Sequence, residues 1–147
     1  MELLFPKLNQ EKTLENVADF FKNDLERLTL MSGRNLTDLS SPRLSNAPAS
    51  TNFGNAIEDQ IINGINAEAM IEAVHDTINH CSHTSRAILI ELFVKRKTWN
   101  QVQPMVYSEH YKFSYLRRKA MFDFAESFNF WQRQHHCQPI INLQDFD

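Results

Sequence analysis

The chain has 147 residues, 42% hydrophobic and 11% aromatic, with 11 Phe but only 3 Gly and 5 Pro; that is room for one domain, or one small domain with a helical extension, and too few turn formers for a many-turned all-β fold. No apolar run approaches the ~20 residues of a membrane span, and MELLFPKLNQEK lacks the basic start and long apolar stretch of a secretion signal. Cys81 and Cys137 offer no disulfide framework, so a reduced, cytoplasmic protein is expected, and the net charge of −3 alone argues against nucleic acid.

In chain order, Thr13 is a plausible N-cap, and Leu14, Val17, Phe21, Leu25 and Leu28 follow at helical spacing. They predict an amphipathic helix over about 14–31, ended by Gly33. Residues 34–54 are rich in Ser, Pro and Asn and read as a connector, with Leu36 and Phe53 as its packing residues. A second helical region is predicted over about 55–80, with Ile57, Ile61, Ile62 and Ile65 continued by Met70, Ile71, Val74 and Ile78. Gly64 would kink or split it, and Asn66 would cap the second piece. NHCSHTS at 79–85 is a polar turn, and no strand and no repeat is evident.

From Ser82 onward three helices are expected. Ser82 or Thr84 starts the first, which carries Ile88, Leu89, Leu92 and Phe93 to about Val94, with Lys95, Arg96 and Lys97 at its end. Thr98 and Gln101 form a capping box for a short second helix, which Pro104 should stop or bend. Ser108 then caps a long third helix to about Phe128. The fold class is therefore all-α: an N-terminal helical region over 1–80, a three-helix region over 81–130, and a tail over 131–147.

Charge is unevenly distributed. Residues 1–80 hold 6 basic against 12 acidic side chains, residues 81–122 hold 8 against 2, and residues 123–147 hold 1 against 4. A basic block between acidic flanks suits phosphate neutralisation, and equally a solvated helix face. On the third helix, with Phe113 at the centre of the inner face, Leu116, Ala120, Phe124 and Phe128 fall on the same side. Tyr111, Tyr115 and Arg118 fall opposite, Ser114 on one flank and Lys112 and Lys119 on the other. Such a division fits any amphipathic surface helix; the scarcity of acids, with Glu109 alone before Asp123, favours DNA. Tyr111, Ser114, Tyr115 and Arg118 are then candidates for base edges, and Lys95, Arg96, Lys97, Lys112 and Lys119 for phosphates. Arg117 points to the buried boundary, where Glu91 could pair with it, and Phe122 points outward to the tail or another subunit.

His75, His80, Cys81, His83, His135, His136 and Cys137 invite a zinc reading, but no CxxC pair and no HExxH occurs. Glu58, Asp59, Glu68, Glu72 and Asp76 need no explanation beyond a solvated acidic helix. No phosphate-binding glycine loop or nucleophile elbow is present. No metal, no cofactor and no enzymatic activity are expected.

The stretch SHTSRAILIELFVKRKTWNQVQPMVYSEHYKFSYLRRKAMFDFAESF resembles the C-terminal half of the ArpU family of phage late-gene transcription regulators, which is similar to sigma-factor region 4. Its landmarks are Ser85-Arg86 with Ile88-Leu89, Trp99, Tyr107-Ser108, Leu116 to Ala120 and Phe124-Ala125-Glu126. Upstream, Leu36-Thr37-Asp38 with Ser41-Pro42, and Gly54-Asn55 before Glu58, resemble the family's connector. The resemblance covers about residues 10–128 and departs between Trp99 and Ser108, where Pro104 replaces a longer, Gly-containing turn. It implies a helix-turn-helix over 81–130 and control of late phage genes (packaging, morphogenesis, lysis) from the host cytoplasm. The expected partner is double-stranded DNA, with host RNA polymerase contact or self-association through the acidic N-terminal helices. The alternatives are a small terminase subunit recognising a packaging site and a polymerase-docking adaptor that does not read DNA.

Overall fold

In a computed structural model, which describes residues 4–42, 61–62 and 65–147, the chain is mostly helical, as the spacing of its apolar residues predicts. Helix α1 is continuous over 10–32: α-helical at Gln10–Asp19, a π-helical turn at Phe20–Asp24, and α-helical again at Leu25–Ser32. Its cap is Asn9, whose side chain accepts from the Lys12 amide at 3.1 Å. Thr13 instead lies buried in the first turn, where its hydroxyl accepts from the Asp145 amide. Gly33 ends the helix at φ 74°, a left-handed conformation that costs glycine little.

A 3-10 turn, Leu36–Ser40, follows and buries Leu39. Phe53, Ile57, Gly54, Asn55 and Glu58 lie outside the described residues, as does Gly64. The predicted helix over 55–80 is shorter than its periodicity suggests. Ile61–Ile62 (β1) pairs antiparallel with Ile65–Asn66 (β2) in a two-residue ladder, and helix α2 runs only over Ala67–Asn79. Asn66 caps it, accepting from the Ala69 amide at 3.1 Å. Arg34 and Glu68 tie the 3-10 segment to the start of α2 through a buried bidentate pair, with Nε 2.9 Å from Oε1.

Helix α3 spans 83–94, α-helical at His83–Ile88 and π-helical at Leu89–Val94, with Ser82 as its cap. Helix α4, Trp99–Val102, opens on the Thr98–Gln101 capping box with both hydrogen bonds present. Pro104 sits in the first turn of the 3-10 segment Gln103–Val106 that continues it. Helix α5 covers Phe113–Gln134 and so starts four residues later than a Ser108 cap would place it. Ser108 instead turns the preceding loop, accepting from the amides of His110 and Tyr111.

Residues from both sides of position 80 share one core. Phe20 and Phe21 of α1 meet Phe124 and Phe128 of α5 at ring separations of 4.8–5.9 Å. Val74 and Ile78 of α2 and Ile88 and Leu89 of α3 complete the same buried cluster. Residues 131–147 are part of the fold. Gln132, fully buried, exchanges two hydrogen bonds with Ile141 at 2.7 and 2.8 Å, Leu143 is buried, and Phe146 bridges to Leu8. Among the described residues no helix is long and apolar enough to cross a membrane.

Candidate nucleic-acid interface

The last helix is anchored as its pattern demands. Phe113, Ala120, Phe124 and Phe128 are buried and Leu116 is half-buried against the core. Met121 and Ala125 are buried as well, because α1, α2 and α3 all pack on α5 and cover more than one stripe. Opposite them, Ser114, Tyr115 and Lys119 are exposed and Arg118 partly so, with Tyr111 and Lys112 exposed just before the helix. The Tyr111 and Tyr115 rings stack at 5.0 Å and 18°. The structure thus brings Tyr111, Ser114, Tyr115, Arg118, Lys112 and Lys119 together at one end of α5.

Helix α4 meets this end through Trp99, whose ring lies 4.5 Å from Phe113. The guanidinium of Arg117 lies 5.4 Å over the same indole, a cation–π contact. Arg117 therefore does not pair with Glu91, and its Nε is buried without a partner. Lys95 and Lys97 take Glu91 instead, at 3.2 and 2.8 Å. Those ammonium groups, Lys97 first, hold the Glu91 carboxyl below its ordinary range against the opposing effect of burial.

Arg96, Lys119 and Arg118 are also engaged within the protein. Arg96, at φ 57°, reaches α1: its Nη2 lies 3.4 Å from the carbonyls of Phe21 and Lys22 and 3.7 Å from Glu26. Lys119 donates to Asp123 at 2.8 Å, which raises its own pKa. Ser85 of α3 donates to the same carboxylate oxygen. Arg118 lies 3.3 Å from the Gln10 amide oxygen and 3.9 Å from Glu11, at the first turn of α1. Lys112 has no ion-pair partner among the described residues. The basic block is thus split: Lys95–Lys97 face α1 and Glu91, while Lys112, Arg118 and Lys119 flank the tyrosine stack.

Sequence reasoning missed Gln10, Asp123 and Ser85, which position Arg118 and Lys119. The i,i+4 spacing of Lys119 and Asp123 was the one available signal. Met105, 53% exposed, borders the same end of α5 and was not singled out, and Tyr107, a landmark of the resemblance, is 78% exposed beside it. Phe122 is half-buried beside a shallow cleft shared with Gln10.

His75, His80 and His135 make contacts within the fold. His135 lies between Glu72 and Asp76, 3.3 and 2.5 Å away, and ties α2 to the end of α5. His75 contacts the Ser41 carbonyl, and His80 packs on Trp131 at 4.2 Å. Burial pushes the Cys81 and Cys137 thiols up to about 11, with the Asp123 and Glu72 carboxylates adding to it. Thiols so poised are inert as nucleophiles near neutral pH.

No protein-family model matches the chain, and no solved structure matches it. A protein of Enterococcus hirae that carries the provisional name autolysin regulatory protein ArpU is 30% identical over 128 residues, covering 85% of this chain and 92% of that protein. With this identity over most of the length of both proteins, the chain belongs to the ArpU family.

Proposed function

We propose that this protein is a sequence-specific DNA-binding regulator of transcription, an activator of phage late genes, with α5 as its recognition helix. The carrying observation is the exposed start of α5. Ser114, Tyr115 and Arg118 stand outward on a helix whose inner face is locked by buried Phe113, Ala120 and Phe124, with Tyr111 exposed on the loop just before it. Side chains held on an anchored helix, free of acids between Glu109 and Asp123, suit entry into a major groove. Lys112 and Lys119 stand beside them for phosphates, with Lys95–Lys97 at the end of α3 as a second set. The regulatory name of the Enterococcus hirae relative supports control of gene expression. The late-gene target and the sigma region 4-like helix-turn-helix rest on the sequence resemblance. The acidic α1 is the surface assigned to host RNA polymerase or to a second copy.

Arg118 is not lost to DNA by its contacts with Gln10 and Glu11. An exposed pair of that length is worth roughly 0–1 kcal/mol, whereas a bidentate arginine–guanine contact contributes about 1–3 kcal/mol of discrimination. The test is a gel-shift series with fragments from the phage genome at several salt concentrations. Salt-sensitive, specific binding upstream of a late operon is expected, and Arg118→Ala should lower that specific binding by about 1–3 kcal/mol while sparing bulk DNA. Binding only at a packaging site would identify a terminase subunit. Polymerase binding without DNA binding would identify an adaptor, and either result overturns the proposal.

A further inference from the structure

We propose that the Tyr111–Tyr115 pair reads thymine through its 5-methyl group, beside the base pair met by Arg118; this rests on the DNA-binding reading above. The two rings are 54% and 50% exposed, yet they are not free to wander. Tyr115 is on the first turn of α5, and the loop carrying Tyr111 is pinned by Ser108, whose hydroxyl accepts from the amides of His110 and Tyr111 at 3.2 and 3.3 Å. Stacking at 5.0 Å and 18° makes the pair one rigid block. Depressions of about 560 and 570 Å³ adjoin it, one lined by Tyr111, Tyr115 and Ser82–Ser85 and the other by Tyr111, Trp99 and Gln103. The block therefore stands up as a ridge of aromatic edge.

In the major groove, guanine, cytosine and adenine show only donors and acceptors; the thymine methyl is the apolar feature that complements such a ridge. Arg118 follows Tyr115 by three residues, about 4.5 Å along a helix, against a rise of about 3.4 Å per base pair. The thymine therefore lies one or two steps from the Arg118 base pair. The chief rival occupant of an aromatic pair flanked by cations is an unpaired base stacked on a ring face. Here the rings already cover one face of each other, and the exposed edge, with Ser114 and Arg118 beside it, favours a duplex.

The test uses the full chain and the bound duplex fragment prepared twice, with thymine and with deoxyuridine, which pairs identically but lacks the methyl. Binding should fall about fourfold for each methyl contacted, the factor that burying one such group corresponds to. Tyr115→Phe, which keeps the ring, should preserve the preference. A Tyr111→Ala, Tyr115→Ala double variant, checked for folding by circular dichroism, should bind both duplexes equally. Equal binding of the two duplexes by the unaltered protein overturns the assignment while leaving the regulator reading intact. So does a preference that survives loss of both rings, or tighter binding to a single-stranded oligonucleotide. No binding to any duplex would overturn both.

Discussion

Replacing Arg96 by Ala and, separately, by Gly distinguishes the two tasks open to its guanidinium: holding DNA phosphate or stapling α3 to α1. Arg96 follows the π turn of α3, where the Lys95 amide donates to Ile90 at 2.8 Å and the Lys97 amide to Glu91 at 3.1 Å. Its φ of 57° is left-handed, which costs a residue with a Cβ about 1–2 kcal/mol. In return its Nη2 approaches the carbonyls of Phe21 and Lys22, each at 3.4 Å, and Glu26 at 3.7 Å, with the side chain 44% exposed. Long, half-exposed contacts of this kind contribute about 1 kcal/mol together. Arg96→Ala keeps the backbone cost and loses the contacts, so it should destabilise by about 1 kcal/mol. Arg96→Gly loses the contacts but relieves the backbone, so it should fall within about 0.5 kcal/mol of the unaltered protein. Urea unfolding followed by tryptophan fluorescence reads both values. Salt-dependent DNA binding then separates the tasks: a staple leaves the slope alone, whereas a phosphate contact lowers it by about 1. Two variants of unchanged stability, both with the lowered slope, would refute the staple.

Phe124→Ala should cost about 3–5 kcal/mol, because its ring packs within 4.8–5.9 Å of Phe20, Phe21 and Phe128 at the junction of α1 and α5. A urea midpoint unchanged by that substitution would contradict the shared core. Glu91 gives a pH signature. Its carboxyl is held below the ordinary 4.5 in the folded protein, chiefly by Lys97, so its contribution is fully present above that value and lost as pH falls through the lower, folded one. As pH falls below 4.5 the unaltered protein should therefore lose more stability than Glu91→Gln; parallel losses in acid titrations of the two would exclude the pairing.

Caps and faces were the most legible features. Asn66, Ser82, the Thr98–Gln101 box and Gly33 all act where sequence places them, because capping is a contact within three residues. The inner face of α5 was likewise readable from a constant 100° per residue. Thr13 misled because it has the chemistry of a cap, while Asn9 four residues earlier has it too and gains a further turn of helix. Ser108 misled similarly, since its hydroxyl serves the loop amides of His110 and Tyr111. A stripe of Leu14, Val17, Phe21, Leu25 and Leu28 omits Phe20, which is as buried as Phe21. Neighbours can share a face where the helix widens to a π turn, and a fixed period cannot show that. The partners of Arg96, Arg117 and Arg118 were illegible for a different reason. Glu26, Trp99 and Gln10 reach them only through tertiary packing or a turn.

The two π turns carry a consequence for insertion and deletion. A π turn holds one residue more than the α-helical turn it replaces, and the turns of α1 and α3 face each other through Phe21 and Phe93, 5.2 Å apart. In an ordinary helix, deleting one residue swings everything downstream by about 100° and ruins the buried stripe. Deleting one within Phe20–Asp24 or Leu89–Val94 would instead tighten the bulge to a regular turn and leave the flanking halves in step. Each of these two segments can thus lose a residue with its helix kept in register, in α1 at the cost of the wide turn whose carbonyls Arg96 now meets.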